Sequence, residues 1–261
     1  MNRLKQVQNF IENDLKNNFL IEPQKRSEAV RERLSDVINT YNPKVIIKAG
    51  IGHGDILLDI VNKFKAYTVV VEPSFSAIKE FIQAKGKDCD MQKLNFINGD
   101  FHDFPVDYYA ADLLICVDYL DFFDSGKCIN EFKRALQFDG IFFFASVVLN
   151  NNDIEGVYDE FIKLIFPLHN DYYISDDINT FMGLKEFKLV KNMQLVFNNN
   201  LQSMIDYFQN IFTSNSKDNA YQFINLHKDE LISFLHMNDS YDISEPYYLG
   251  VYTKPKPDTG L

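Results

Sequence analysis

From Val45 onward, short apolar runs alternate with segments of helical periodicity, and this alternation limits what the chain can become. Val45–Ile47, Tyr67–Val71, Leu94–Ile97, Asp112–Val117 and Ile141–Val148 read as strands. Asp55–Phe64, Ser74–Ala84 and Lys127–Leu136 read as the helices between them. A strand that is apolar along its whole length is buried on both faces, so the pattern predicts a mostly parallel sheet with helices on both sides. Right-handed crossovers then leave few topologies. The predicted class is α/β.

The flanks are less regular. Leu4, Val7, Ile11 and Leu15 predict an amphipathic helix over residues 1–20, broken at Glu22-Pro23. Ser27 is the expected N-cap of a second helix reaching Tyr41, with Val30, Leu34, Val37 and Ile38 on its apolar face. Gly86 is the expected left-handed residue after the Ser74 helix, and Asp139-Gly140 the expected turn before the Ile141 strand. Further on, Ile154–Ile165, Leu201–Phe212 and Asn219–Leu235 predict helices, and Phe187–Phe197 and Tyr247–Thr253 strands. Nothing reads as a repeat or a flexible linker. The expected organisation is a single domain over 1–261, with a helical cap at 1–43, a cofactor-binding core at 44–149, and final strands and lid helices at 150–261.

Composition narrows the function. A formal net charge of −11 disfavours nucleic acid and anionic membrane surfaces as partners. Cys89, Cys116 and Cys128 form no CxxC pair, which fits reduced thiols in a cytoplasm. The histidines are scattered without ligand spacing, so no metal site is expected. No run is long and apolar enough to span a membrane.

The sharpest chemical signal is Lys48-Ala49-Gly50-Ile51-Gly52-His53-Gly54, where the first strand turns into the first helix. Alternate glycines let backbone approach a ligand closely, and the helix start offers free N–H groups. The same pattern also serves a plain tight turn. A dinucleotide fingerprint would need glycine at 55, where Asp55 stands, so the spacing favours a nucleoside-methionine ligand over a pyrophosphate. Glu72, about 20 residues on at the end of the second strand, is placed to accept hydrogen bonds from ribose hydroxyls. Taken alone it would be a carboxylate at a helix start. Gly99-Asp100-Phe101 puts a carboxylate beside an aromatic ring, suited to adenine, although Gly-Asp is also an ordinary turn. Asp118 and Tyr119 lie at the C-terminal edge of a central strand, where open α/β sheets bind ligands.

The stretch Val45–Val148 resembles the class I S-adenosylmethionine-dependent methyltransferases, especially their small-molecule branch. Val71-Glu72-Pro73-Ser74 resembles the acidic ribose loop, and Gly99 to Pro105 the adenine loop. Ala111–Phe123 resembles the fourth motif. Ala135 to Gly140 resembles the turn before the fifth strand, with Phe138-Asp139 in place of the usual pair. The resemblance implies a Rossmann-like seven-stranded sheet whose last strand is antiparallel, with extra N-terminal helices. It implies S-adenosyl-L-methionine as cofactor, held by Lys48, Ala49, Gly50, Gly52, Glu72, Pro73, Gly99, Asp100, Phe101 and Asp118. Gly50, Gly52 and Gly54 would lie against the methionine half, Glu72 against the ribose and Asp100 with Phe101 against the adenine. The partner would be a small-molecule methyl acceptor.

One departure stands out. The family usually carries an acid where this chain has Lys48, and a second cation near the cofactor's ammonium is unfavourable unless it turns away or pairs with Asp118 or Asp55. That departure keeps open a catalytically inactive, methyltransferase-like accessory protein. A nicotinamide-dependent oxidoreductase is the other alternative. His53, His102, Tyr119 and Asp121 are candidates for a general base, with none singled out.

Overall fold

The computed structural model describes residues 5–11, 23–52, 54–64, 66–212 and 217–257. The N-terminal amphipathic pattern is helical at 5–11, and its continuation to residue 20 lies outside the described residues. Helix α1 spans Pro23–Tyr41, so Ser27 sits inside it and not at its start. Proline accounts for the earlier start: its fixed φ suits the first helical position, where no N–H is required. Val30, Leu34, Val37 and Ile38 are buried, as the periodicity predicts.

The core follows as β1 (Val45–Ala49), α2 (Asp55–Asp59, continued by a π-helical turn, Ile60–Phe64), β2 (Tyr67–Glu72), α3 (Phe75–Lys85), β3 (Leu94–Asn98), β4 (Ala111–Val117), α4 (Ser125–Ala135) and β5 (Leu136–Val147). Ser74 and Asp124 cap α3 and α4, each accepting a backbone N–H three residues on. Gly86 keeps right-handed helical angles and leads into a short 3-10 turn, so it is not the expected left-handed cap. Asp139-Gly140 does not separate two elements either. Asp139 takes a left-handed φ of 59° within β5, whose register against β4 slips between Ala111 and Leu113.

The C-terminal part adds α5 (Val157–Ile165), α6 (Asp177–Leu184), β6 (Lys188–Asn200), α7 (Leu201–Ile211), α8 (Lys217–Leu226), α9 (Lys228–Leu235) and β7 (Asp242–Thr253). The single helix expected over Asn219–Leu235 is two, broken at His227. Helix α6 was not expected, because its eight residues barely exceed two turns.

The sheet has seven strands in the order β3-β2-β1-β4-β5-β7-β6. β1 to β5 pair in parallel and β7 runs antiparallel to both β5 and β6, which is the predicted Rossmann-like arrangement. Alternate strand residues feed two cores. Ile46, Ile115, Phe143 and Val251 pack with α1, α5 and α7, while Ile47, Leu114, Phe142 and Tyr252 pack with α3 and α4. The order of strand addition reverses between β1 and β4, and this is where such sheets open a crevice.

Candidate active site

Gly50, Gly52 and Gly54 have φ of 77°, 59° and 83°, a region costly for any residue with a Cβ. At Gly50 a Cβ would also lie 2.2 Å from the Tyr119 ring. At Gly52 the nearest heavy atom to a Cβ is Lys48 Nζ at 4.0 Å, so this part of the turn is an open cradle. His53 lies outside the described residues.

Glu72 is buried under the turn. Its Oε2 accepts from the Ile51 N–H at 2.8 Å and the Tyr119 hydroxyl at 3.1 Å, and its Oε1 accepts from the Ser74 N–H at 2.9 Å. Burial still pushes its carboxyl above the ordinary range. The Tyr119 hydroxyl also accepts from the Gly52 N–H at 3.2 Å. One carboxylate thus props the glycine turn and already receives a hydroxyl.

Lys48 is 1% exposed, and its ammonium turns into the turn itself. It donates to Gly50 O at 2.5 Å and Ile51 O at 3.2 Å. Asp118 and Glu72 attract it through space, while Asp55 pairs with Lys85 at 3.2 Å. Burial lowers its pKa to about 8. Beside it, Ala49 is buried in register with Val71 and Cys116.

The loop after β3 closes over the end of β2. The Gly99 N–H donates to Glu72 O at 3.2 Å, and a Cβ on Gly99 would meet Pro105 at 2.4 Å. Pro73 O accepts from Gln8 Nε2 at 2.7 Å, which ties the 5–11 helix to this loop. Asp100 Oδ1 accepts from the His102 N–H at 3.0 Å. Phe101 is wholly buried, its ring 4.9 Å from Phe123 and 5.6 Å from Tyr119 between centroids, so its faces are enclosed by neighbours and Asp100 is the polar group the loop presents. His102 Nε2 accepts from the Asp124 N–H at 3.0 Å, which removes it from the general-base candidates.

Beside the turn lies a cavity of about 150 Å³. Lys48, Ile51 and Gly52 form its wall against the glycine turn, and Phe10, Phe122, Phe166, Met204 and Phe208 its apolar walls. Asp118 and Asp121 line it from the end of β4. Asp118 takes a left-handed φ of 56°, and its buried carboxyl interacts with the Tyr247 hydroxyl. Burial raises its carboxyl, opposed by the Arg26 guanidinium. Asp121 accepts from Ser146 Oγ at 2.9 Å, and burial pushes it up to about 7.

Arg26, Glu245 and His169 of this cavity were not anticipated. Arg26 on α1 pairs with Glu245 on β7, both buried, and Tyr158 donates to the other oxygen of Glu245 at 2.5 Å. The Arg26 guanidinium stands 4.8 Å from the centroid of the Tyr247 ring. His169 meets Asp159 of α5 at 2.6 Å. Only Arg26 left a trace in the sequence, a cation four residues before Val30 on an apolar helix face. Among the described residues no group of three or more His, Cys, Asp or Glu is placed to hold a metal ion.

A family model described as "Methyltransferase domain" matches residues 47–144, the span holding the glycine turn, the loops after β2 and β3, and the end of β4. This stretch is a methyltransferase domain. No curated protein sequence matches it significantly. Among solved structures, the YcgJ protein of Bacillus subtilis superposes on the methyltransferase with a TM-score of 0.69 at 16% identity, covering 86% of this chain and 98% of that one. Geranyl diphosphate C-methyltransferase of Streptomyces coelicolor, solved with Mg2+, geranyl diphosphate and S-adenosyl-L-homocysteine, gives 0.63 at 11% identity, covering 97% and 98%. The [4+2]-cyclase SpnF gives 0.56 at 12% identity, covering 86% and 85%. At such identities these likenesses show the fold alone, and the site must speak for the reaction.

Proposed function

We propose that the methyltransferase uses S-adenosyl-L-methionine to methylate a small organic acceptor held in the cavity beside the glycine turn. The observation that carries this reading is the continuity of the turn with the cavity: Lys48, Ile51 and Gly52 belong to both. The turn fits the cofactor. Gly52 leaves an open cradle, Asp118 lines the adjoining cavity, and Glu72 would take ribose hydroxyls in place of the Tyr119 hydroxyl it now accepts. Gly50 and Gly52 would take the methionine half, Glu72 the ribose, Asp100 the adenine and Asp118 the methionine ammonium. Ala49, Pro73, Gly99 and Phe101 would shape the loops around them. Lys48 directs its charge into the loop carbonyls, which supports an active enzyme over an inactive one.

When bound, the cofactor supplies a methyl group already activated on a sulfonium. The chain's task is then to hold the acceptor in line and keep water out. Phe10, Phe122, Phe166 and Phe208 exclude water from the acceptor side. Asp118, Asp121 and Glu245 disfavour a phosphorylated acceptor, because the Arg26 cation is already paired. The free thiols fit the cytoplasmic reading, and no described helix is long and apolar enough to cross a membrane.

Calorimetric titration with S-adenosylmethionine and S-adenosylhomocysteine tests the assignment, with NADH as control. Micromolar binding of the first two, lost in Glu72→Ala, is expected. A folded protein that binds NADH and neither sulfur ligand would overturn it.

A further inference from the structure

His169 is 5% exposed and sits in the loop after α5. Its Nε2 meets Asp159 Oδ1 at 2.6 Å. Asp159 also accepts from the Tyr172 N–H at 2.7 Å and from Lys163 Nζ at 2.7 Å. Burial alone would raise this carboxyl, but the bonds from His169 and Lys163 hold it below the ordinary range, so it is ionised and can only accept. His169 Nε2 is therefore the donor, and in the neutral ring Nδ1 carries the bare lone pair. Nδ1 is buried and has no partner among the described residues, on a ring that lines the same cavity as Lys48, Gly52 and Asp121.

The loop is anchored to the end of β4. The Asn170 N–H donates to Asp121 O at 2.6 Å, and Asn170 Nδ2 donates to Phe123 O at 3.1 Å. The His169 ring lies 4.2 Å from the Tyr172 ring between centroids. The groups that act on it are Asp159 on α5, backed by Lys163, and Asp121 beyond β4, with the Tyr172 ring against it.

We infer that His169 is the general base of the acceptor pocket, with Asp159 as its positioning residue, and that the acceptor presents a hydroxyl on a compact aromatic body. A neutral amine attacks through a lone pair it already has, whereas a hydroxyl gains nucleophilicity by losing its proton. His169 Nδ1 takes that proton, the acceptor oxygen forms the bond to the transferred methyl, and the carbon–sulfur bond breaks with its electron pair on sulfur. Asp159 stabilises the imidazolium that results. The phenylalanine walls suit an aromatic ring. This inference rests on the proposed cofactor assignment.

The test uses the full chain labelled with 15N-histidine, saturated with S-adenosylhomocysteine and titrated with phenol as probe. His169 is expected as the Nε2–H tautomer, with an Nδ1 resonance that moves on phenol addition. A proton on Nδ1, or an Nδ1 resonance unmoved by saturating phenol, overturns the inference. Asp159→Asn is expected to lose the tautomer preference while still binding S-adenosylhomocysteine, and Asp159→Glu to restore it. A wild-type chain that fails to bind S-adenosylhomocysteine would defeat the cofactor assignment and not the dyad. For phenols that are methylated, His169→Gln should lower kcat by about 100- to 10,000-fold and abolish the acid limb of the pH profile. Unchanged kcat in a variant with wild-type cofactor affinity would refute the role of His169.

Discussion

The two sides of the cavity are built by different means. The side proposed for the cofactor is mostly backbone: three left-handed glycines, the N–H groups of Ile51 and Gly52, and carbonyls that hold Lys48, all drawn together by residues 48–119. The side proposed for the acceptor is mostly charged and aromatic side chains from distant parts of the chain, and Arg26 and Glu245 stand 219 positions apart. A backbone site fails when a Cβ is added. A side-chain site fails when a charge loses its partner. The two sides should therefore break under different substitutions, and each can be tested against the other.

The largest effect is expected at Arg26–Glu245. Removing one member of a buried ion pair leaves an uncompensated charge, at a cost of about 3–5 kcal/mol. Glu245→Ala should lower the urea midpoint accordingly. Replacing both members with apolar residues, Arg26→Met with Glu245→Leu, should recover most of the loss. If the single and double variants were equally unstable, packing by the arginine stem and not the charge would account for this end of the cavity.

Next in size is the contrast between two glycines of one turn. Gly50→Ala meets a left-handed φ and the Tyr119 ring together, and should cost about 2–3 kcal/mol. Gly52→Ala meets the backbone penalty alone, about 1 kcal/mol, because beyond its chain neighbours the nearest atom to its Cβ would be Lys48 Nζ at 4.0 Å. Thermal unfolding separates the two. Binding of S-adenosylhomocysteine should respond differently: Gly52→Ala fills the open cradle and should weaken binding in a protein that is nearly as stable as wild type. Equal stability losses at the two positions would show that Tyr119 yields freely.

How much was legible follows the same division. The sheet and the glycine turn could be read because strand hydrophobicity and glycine spacing are local signals, and Lys48 announced itself as the wrong charge in a familiar place. Where its ammonium goes could not be read, since the answer lies in carbonyls of a turn whose shape only the fold supplies. Helix α1 starts five residues before the serine cap implies, because a serine cap competed with a proline start, and the proline prevailed. Arg26, Asp159, His169 and Glu245 belong to no motif, and nothing in their own neighbourhoods marks them. They come together because α1, α5, the loop behind it and β7 pack against one end of the sheet.

Asp121 offers the smallest effect and the finest test of how far the acceptor side departs from water. Burial raises its carboxyl to about 7, with Asp118 adding to the rise and His169 opposing it. An unfolded aspartate titrates near 3.9, so between about 4 and about 7 the folded state holds the extra proton. Stability from this group is therefore greatest at acid pH, falls as pH rises through that window, and is level above it. Asp121→Asn removes the slope. Because Asp121 opens partly onto the cavity, the gain at pH 8 relative to pH 5 should be near 1 kcal/mol and not the full value of the shift. Urea unfolding of both proteins at the two pH values measures it. A gain of the same size at both would mean that Asp121 ionises as it does in water, and the acceptor side would then be as open to solvent as the surface, with no need of a fixed base to draw a proton from its ligand.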